Sequence, residues 1–280
     1  MANEALPPSG KMGAMTNVPR DQWTSGDAYE FYMGRWSRAL AREFLAWLAP
    51  KRAAHWLDLG CGTGALTAAI CELSEPASVV ACDPAAPFVE HARSRISDPR
   101  ASFVVAGADA LPKRDGGFDA VVSGLVLNFV QEPKRALEAV HERLAPNGVA
   151  GAYVWDYESG LEFLRHFWDE AAASDPRAAA LDEGARFPLC HEPALAALFE
   201  AAGLTRVDTK ALVIETQFRD FDDYWQPFLG GTGPAPTYVG SLGPAERQAL
   251  KERLERRLRP ASDGTIRLRA RAWAARGVRP

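Results

Sequence analysis

At 280 residues the chain is long enough for one large domain with insertions, and its 47% hydrophobic and 24% charged residues suit an ordinary globular protein. A formal net charge of −4 argues against a generic nucleic-acid binder, whose domain is usually basic. No apolar run is long enough to span a membrane or serve as a signal peptide. The four cysteines, Cys61, Cys71, Cys82 and Cys190, follow neither metal-ligand nor disulfide spacing, so the expectation is a cytoplasmic protein with no metal site.

Residues 1–20 contain Pro, Gly and Asn without periodicity and read as a flexible leader, which leaves 21–280 as a single domain. Two helices are expected over 25–48. Ser25 can cap the first, which runs through Tyr32. Ser37 can cap the second, where Leu40, Phe44, Leu45, Trp47 and Leu48 form an apolar stripe that ends at Pro50. Strand and helix signals then alternate: strand 54–59, helix 64–74, strand 77–82, helix 85–96, strands 102–106 and 118–123, helix 133–145 and strand 148–155. Pro146-Asn147-Gly148 is expected to make the turn into that last strand. SVVACD and FDAVVSG are continuous apolar runs, which implies burial on both faces. The fold class is therefore α/β, a doubly wound, Rossmann-like, mostly parallel sheet with helices on both faces. Residues 157–190 lose this pattern. Phe163, Leu164, Phe167 and Trp168 share one helical face there, and the segment reads either as a lid over the substrate or as an ordinary packing helix. Helix 193–202, a strand around 204–216, a short helix at FDDYW, a charged helix PAERQALKERLERRL and a strand near 265–277 complete the chain.

The informative stretch is HWLDLGCGTGALT, residues 55–67. An apolar strand carrying Asp58 breaks into Gly60, Gly62 and Gly64 around Cys61, and a helix follows. Side chains removed from a turn at a helix N-terminus allow a ligand to lie against main chain. The G-x-G-x-G spacing is one residue tighter than the dinucleotide fingerprint, G-x-G-x-x-G. This stretch resembles the first motif of the class I S-adenosylmethionine-dependent methyltransferases, apolar-Asp-x-Gly-x-Gly-x-Gly. The likeness covers residues 25 to about 155 well and the remainder by order of elements, and it is nearest to the ubiquinone/menaquinone-biosynthesis-like small-molecule branch. It implies a seven-stranded sheet with an antiparallel last strand. It also implies S-adenosyl-L-methionine as methyl donor and S-adenosyl-L-homocysteine as product.

An acidic residue about 20 positions beyond the glycine turn is the expected partner of ribose hydroxyls. Asp83 fills that place, followed by Pro84 at the start of a helix; capping that helix is its other reading. The resemblance implies that Asp109 binds the adenine amino group while Ala110 leaves room for the ring. It also implies that Ser123, Gly124 and Leu125 lie beside the methionine moiety, with Asn128 and Phe129 deeper. Helices before the first strand cover the cofactor in related proteins, which makes Tyr32 and Arg35 candidates. Arg35 offers a planar fork for the cofactor carboxylate, and Arg38 reads as surface. No residue is marked as the catalytic base by its sequence neighbours. Tyr32, Asp156, Tyr157, His166 and His191 are the candidates. The aromatics of 157–190 point to a small, aromatic or apolar acceptor. Two other readings stay open: a non-catalytic AdoMet- or nucleotide-binding regulator, and an NAD(P)-dependent oxidoreductase.

Overall fold

The computed structural model describes residues 30–230 and 233–280. The expected leader, Ser25 and most of the first expected helix lie outside the described residues. Glu30–Gly34 forms a π-helical turn that leads directly into α1 (Arg35–Leu48). Then follow β1 (His55–Leu59), α2 (Ala65–Leu73), β2 (Ser78–Asp83), α3 (Ala86–Arg95), β3 (Ala101–Val105), β4 (Phe118–Gly124), α4 (Pro133–Arg143) and β5 (Leu144–Trp155). The remainder is α5 (Glu162–Ser174), α6 (Glu183–Arg186), α7 (Glu192–Ala201), β6 (Thr205–Phe218), α8 (Phe221–Trp225), α9 (Pro234–Ser241), α10 (Pro244–Arg257) and β7 (Ile266–Val278).

The strands form one seven-stranded sheet in the order β3-β2-β1-β4-β5-β7-β6, with β1 to β5 parallel and β7 antiparallel to both its neighbours. The chain builds outward from β1 to β3, then crosses back to lay β4 on the other side of β1. A crevice opens at the carboxyl ends of β1 and β4, where successive crossovers diverge, and open α/β sheets bind ligands there. Ala120, Val121 and Val122 of β4 are all buried, as the continuous apolar run requires of a strand covered on both faces. Edge strand β3 instead exposes Val104 and Val105.

Two differences from the sequence reading have local causes. β5 begins at Leu144, not 148: the Pro146-Asn147-Gly148 turn sits inside the strand as an irregularity, with Asn147 at φ 60° and a register shift in the pairing with β4. In the insertion, Phe163, Leu164, Phe167 and Trp168 of α5 are all at most 2% exposed. They join an aromatic cluster with the segment after β6. Phe167 stacks on Phe228 at 4.6 Å and 6° between planes, and Tyr224 donates its hydroxyl to the Phe163 carbonyl at 2.9 Å. α5 is therefore core, and among residues 157–190 Tyr157 lines the crevice.

Candidate active site

All three glycines of the turn have positive φ: 74° at Gly60, 51° at Gly62 and 92° at Gly64. Gly60 and Cys61 donate their backbone N–H groups to the Cys82 carbonyl, at 2.7 and 2.9 Å, which pins the turn to the end of β2. The space around the glycines separates their roles. A Cβ on Gly60 would lie 2.6 Å from Val126 and one on Gly64 2.6 Å from Ile96, whereas one on Gly62 would meet nothing within 4 Å. Gly60 and Gly64 permit internal packing. Gly62 alone faces open space, and it lines a cavity of about 370 Å³ at the carboxyl ends of β1, β2, β4 and β5.

Asp58, near the end of β1, lines this cavity and is completely buried. Its Oδ2 accepts a hydrogen bond from Thr67 Oγ1 at 2.6 Å, while Oδ1 has no partner. Burial pushes its pKa up to about 7; the Thr67 hydroxyl opposes this and the charge of Asp83 adds to it. Asp83 accepts N–H groups from Gly62 at 3.0 Å on Oδ2 and from Ala85 at 2.9 Å on Oδ1. The bond to Ala85 shapes the turn before α3, whose N-cap is Ala85 without a side-chain cap, so Asp83 is not the N-cap that its other reading expects; it keeps a lone pair on each oxygen for a ligand. Burial also raises its pKa, against those two N–H bonds. Among the described residues, the cavity wall holds two carboxylates and no Lys, Arg or His. Such a wall favours a ligand with a net positive end and disfavours a pyrophosphate, which weighs against an NAD(P) cofactor.

Cys61, Pro84, Gly124 and Leu125 also line the cavity. Cys61 is buried, and burial raises its thiol pKa, so it acts as a small filler. Gly124 is small because a Cβ there would sit 2.5 Å from the Tyr153 hydroxyl. Leu125 takes φ 63° and donates its N–H to the Tyr153 carbonyl at 2.8 Å, which places a strained residue at the wall.

Several expected residues lie elsewhere. Arg35 turns away from the cavity: both oxygens of Asp223 accept from its Nη1 at 3.2 Å, and its guanidinium lies over Trp36 and Phe218. The helix supplies the reason. Met33 and Ser37, four residues apart, share the inner face and line the cavity, and residue 35 falls on the opposite side. Ser123 is buried, with its hydroxyl donated to the Leu59 carbonyl at 2.9 Å, so it ties β4 to β1 and is absent from the wall. Gly64 is a step outside it, and Asp109 and Ala110 are exposed on a 3₁₀ turn after β3, beside Gly107 and Pro84 at the rim.

Of the candidate bases, Asp156 is tied to Arg271 at 2.5 Å and to the Ser159 N–H at 3.0 Å, where it braces the start of the insertion. His166 accepts from Arg257 Nε at 2.8 Å among surface charges, with its pKa lowered by burial and by Arg257. His191 pairs with Glu158 at 3.3 Å. None of the three lines the cavity. Tyr157 does line it, and Tyr32 lies in a small adjoining chamber. Tyr153 and Trp155 went unnoticed in the sequence although their alternate spacing at the end of a buried strand puts both on one face. Glu183, which lines the adjoining chamber, lacked any sequence signal.

The family of methyltransferase domains matches residues 57–151, from the middle of β1 into β5 and so including the glycine turn, Asp58 and Asp83. Residues 57–151 therefore carry a methyltransferase domain, similar to those of the class I S-adenosylmethionine-dependent enzymes. The chain's relatives include a probable tRNA methyltransferase 9B of Bos taurus, 34% identical over 128 residues, which are 42% of this chain and 26% of that one. Another is a demethylmenaquinone methyltransferase of Clavibacter sepedonicus, 38% identical over 102 residues, 36% of this chain and 41% of the relative. The chain thus spans less than half the length of these relatives. The fold also matches Haemonchus contortus phosphoethanolamine N-methyltransferase 2, whose structure holds S-adenosyl-L-methionine, with TM-score 0.55 and 15% identity over 98% of this chain and 61% of that one. S-adenosyl-L-methionine is the cofactor of the family, and the site fits it. The unpaired Asp58 Oδ1 suits an ammonium group, and the open side of Gly62 admits a ligand against main chain.

Proposed function

We propose that this methyltransferase moves the methyl group of S-adenosyl-L-methionine to a small aromatic or apolar acceptor in the cytoplasm. The observation that carries the reading is the buried, unpaired Asp58 Oδ1 in an acidic cavity beneath the open face of Gly62. An unpaired carboxylate oxygen in an interior is costly unless a ligand completes it. Asp58 takes the ammonium of the methionine part, main chain around Gly62 lies against the cofactor, and the remaining lone pairs of Asp83 take the ribose hydroxyls. Asp109 receives the adenine amino group at the rim, beside Ala110. The bound sulfonium supplies an activated methyl and a good leaving group. The chain's own task is to orient the acceptor and exclude water, which Phe129, Trp155 and Tyr157 do from the wall.

The similarity to a demethylmenaquinone methyltransferase agrees with a small acceptor, and that to a tRNA methyltransferase raises RNA as an alternative. The acidic wall and net charge of −4 favour the former, because a phosphate backbone needs cationic partners. No described helix is long and apolar enough to cross a membrane. The test is calorimetry with S-adenosyl-L-methionine and S-adenosyl-L-homocysteine, followed by transfer of labelled methyl into a small-molecule extract. Binding with transfer supports the enzyme. Binding without transfer to any acceptor leaves a regulator, and no heat on folded protein removes the cofactor.

A further inference from the structure

Beside the large cavity lies a chamber of about 10 Å³, room for a single water-sized group. Met33, Phe129 and Tyr157 belong to the walls of both and form the boundary between them. Apart from Tyr157 on that boundary, two polar side chains line the chamber, Tyr32 and Glu183. Tyr32 is 4% exposed and its hydroxyl is buried with no hydrogen-bond partner. Glu183 is 3% exposed, and its Oε2 accepts from Trp168 Nε1 at 2.5 Å. A cap turns Glu183 inward: Asp182 accepts the Gly184 N–H at 2.9 Å at the start of α6. The nearby cation is already engaged, since Arg165 is clamped by both oxygens of Asp182 at 2.8 and 2.5 Å.

We infer that Tyr32 and Glu183 form the polar subsite of the methyl acceptor, taking one hydroxyl or amino group at the end of an otherwise apolar molecule. The inference rests on the cofactor reading of the adjoining cavity. Size sets the first limit: a hydroxyl or a primary amine fits the chamber, and a ring stays on the cavity side of the boundary. Charge sets the second. A carboxylate or phosphate would face buried Glu183 while the charge of Arg165 is paired with Asp182 through both terminal nitrogens, so anionic heads are rejected. Polarity sets the third, because an acceptor with no polar group at that end leaves the buried Tyr32 hydroxyl unsatisfied. The expected substrate class is a phenol, alcohol or amine, uncharged or cationic at that end.

The test uses the full chain saturated with S-adenosyl-L-homocysteine and four single-ring probes, 4-methylphenol, benzylamine, toluene and benzoate, followed by ligand-observed NMR. The phenol and the amine should bind at least tenfold more tightly than toluene or benzoate. Glu183→Gln should remove the preference for benzylamine, and the milder Tyr32→Phe should weaken 4-methylphenol, with S-adenosyl-L-homocysteine binding unchanged in both. Equal binding of the four probes, binding of none, or preferences that survive both substitutions would overturn the subsite. Failure of S-adenosyl-L-homocysteine to bind the unsubstituted protein is a separate result that removes the cofactor reading; the probe series is then read on the protein alone.

Discussion

Asp58 and Gly62 carry the proposed site by opposite means, one by a carboxyl group held out of water and the other by the absence of a side chain. The Asp58 carboxyl, with its pKa near 7, is partly protonated in the unliganded protein at neutral pH. An ammonium beside it favours the ionised form, so cofactor binding at pH 7 should release a fraction of a proton, read from the dependence of the calorimetric enthalpy on buffer ionisation heat. Asp58→Asn keeps a partner for Thr67 and should remove that release and weaken binding by about 1.5–3 kcal/mol. An unchanged release would transfer the role to Asp83. The glycines divide as their surroundings do. Gly62→Val should abolish binding at a modest loss of stability from its positive φ. Gly60→Ala and Gly64→Ala should cost more stability, because their side chains would collide with Val126 and Ile96. Should Gly62→Val unfold the chain, its glycine serves the backbone and not the ligand. Arg35 shows the limit of composition as a guide. Its fork suits a carboxylate, but Asp223 is the carboxylate it meets, so Arg35→Ala should lower the melting temperature by the equivalent of roughly 1 kcal/mol and leave cofactor affinity unchanged.

At the scale of elements, the features readable in the sequence were those with a local cause. The continuous apolar runs of β2 and β4 marked buried parallel strands, and the glycine turn with Asp83 one strand later marked the end of the sheet where the cavity lies. What could not be read depended on partners distant in the chain. The apolar face of α5 is the same whether it covers a substrate or packs in a core. Only the arrival of Phe228, Tyr224 and Tyr238 from beyond β6 decides for core. Glu183 was equally silent, since a glutamate in a polar stretch gives no sign that Trp168 and a cap will bury it. Phe167→Ala should therefore destabilise the protein by about 3–5 kcal/mol, as truncation of a stacked, fully buried ring does. Its measurement by denaturant titration bears directly on the lid: a loss below 1 kcal/mol would restore α5 as a loosely held cover.

Over the whole molecule, two small sets of carboxyl groups have opposite effects on stability. Asp98 and Asp263 are surface groups held at about 2 by hydrogen bonds, from Arg100 and from Thr265 respectively, and their contribution is lost only as pH falls toward that value. Asp58 and Glu183, raised by burial to about 7, work the other way, and Asp83 is raised in the same direction. Between the ordinary carboxylate range and pH 7 the folded chain binds more protons at these three sites than the unfolded chain does. Stability must then fall as pH rises through that interval, with the favourable contribution complete below the unfolded values and gone above the folded ones. His166, lowered by burial, opposes this trend near its ordinary value, but it is one group against three. The unliganded protein should melt at a higher temperature at pH 5.5 than at pH 8, and Asp58→Asn should flatten that decline. Saturating S-adenosyl-L-methionine should flatten it too, because the ionised Asp58 then has a cationic partner. A melting temperature that rises steadily from pH 5.5 to 8 without ligand would mean that Asp58 and Glu183 are ionised throughout, and the acidic pocket would then need a permanent cation to hold it.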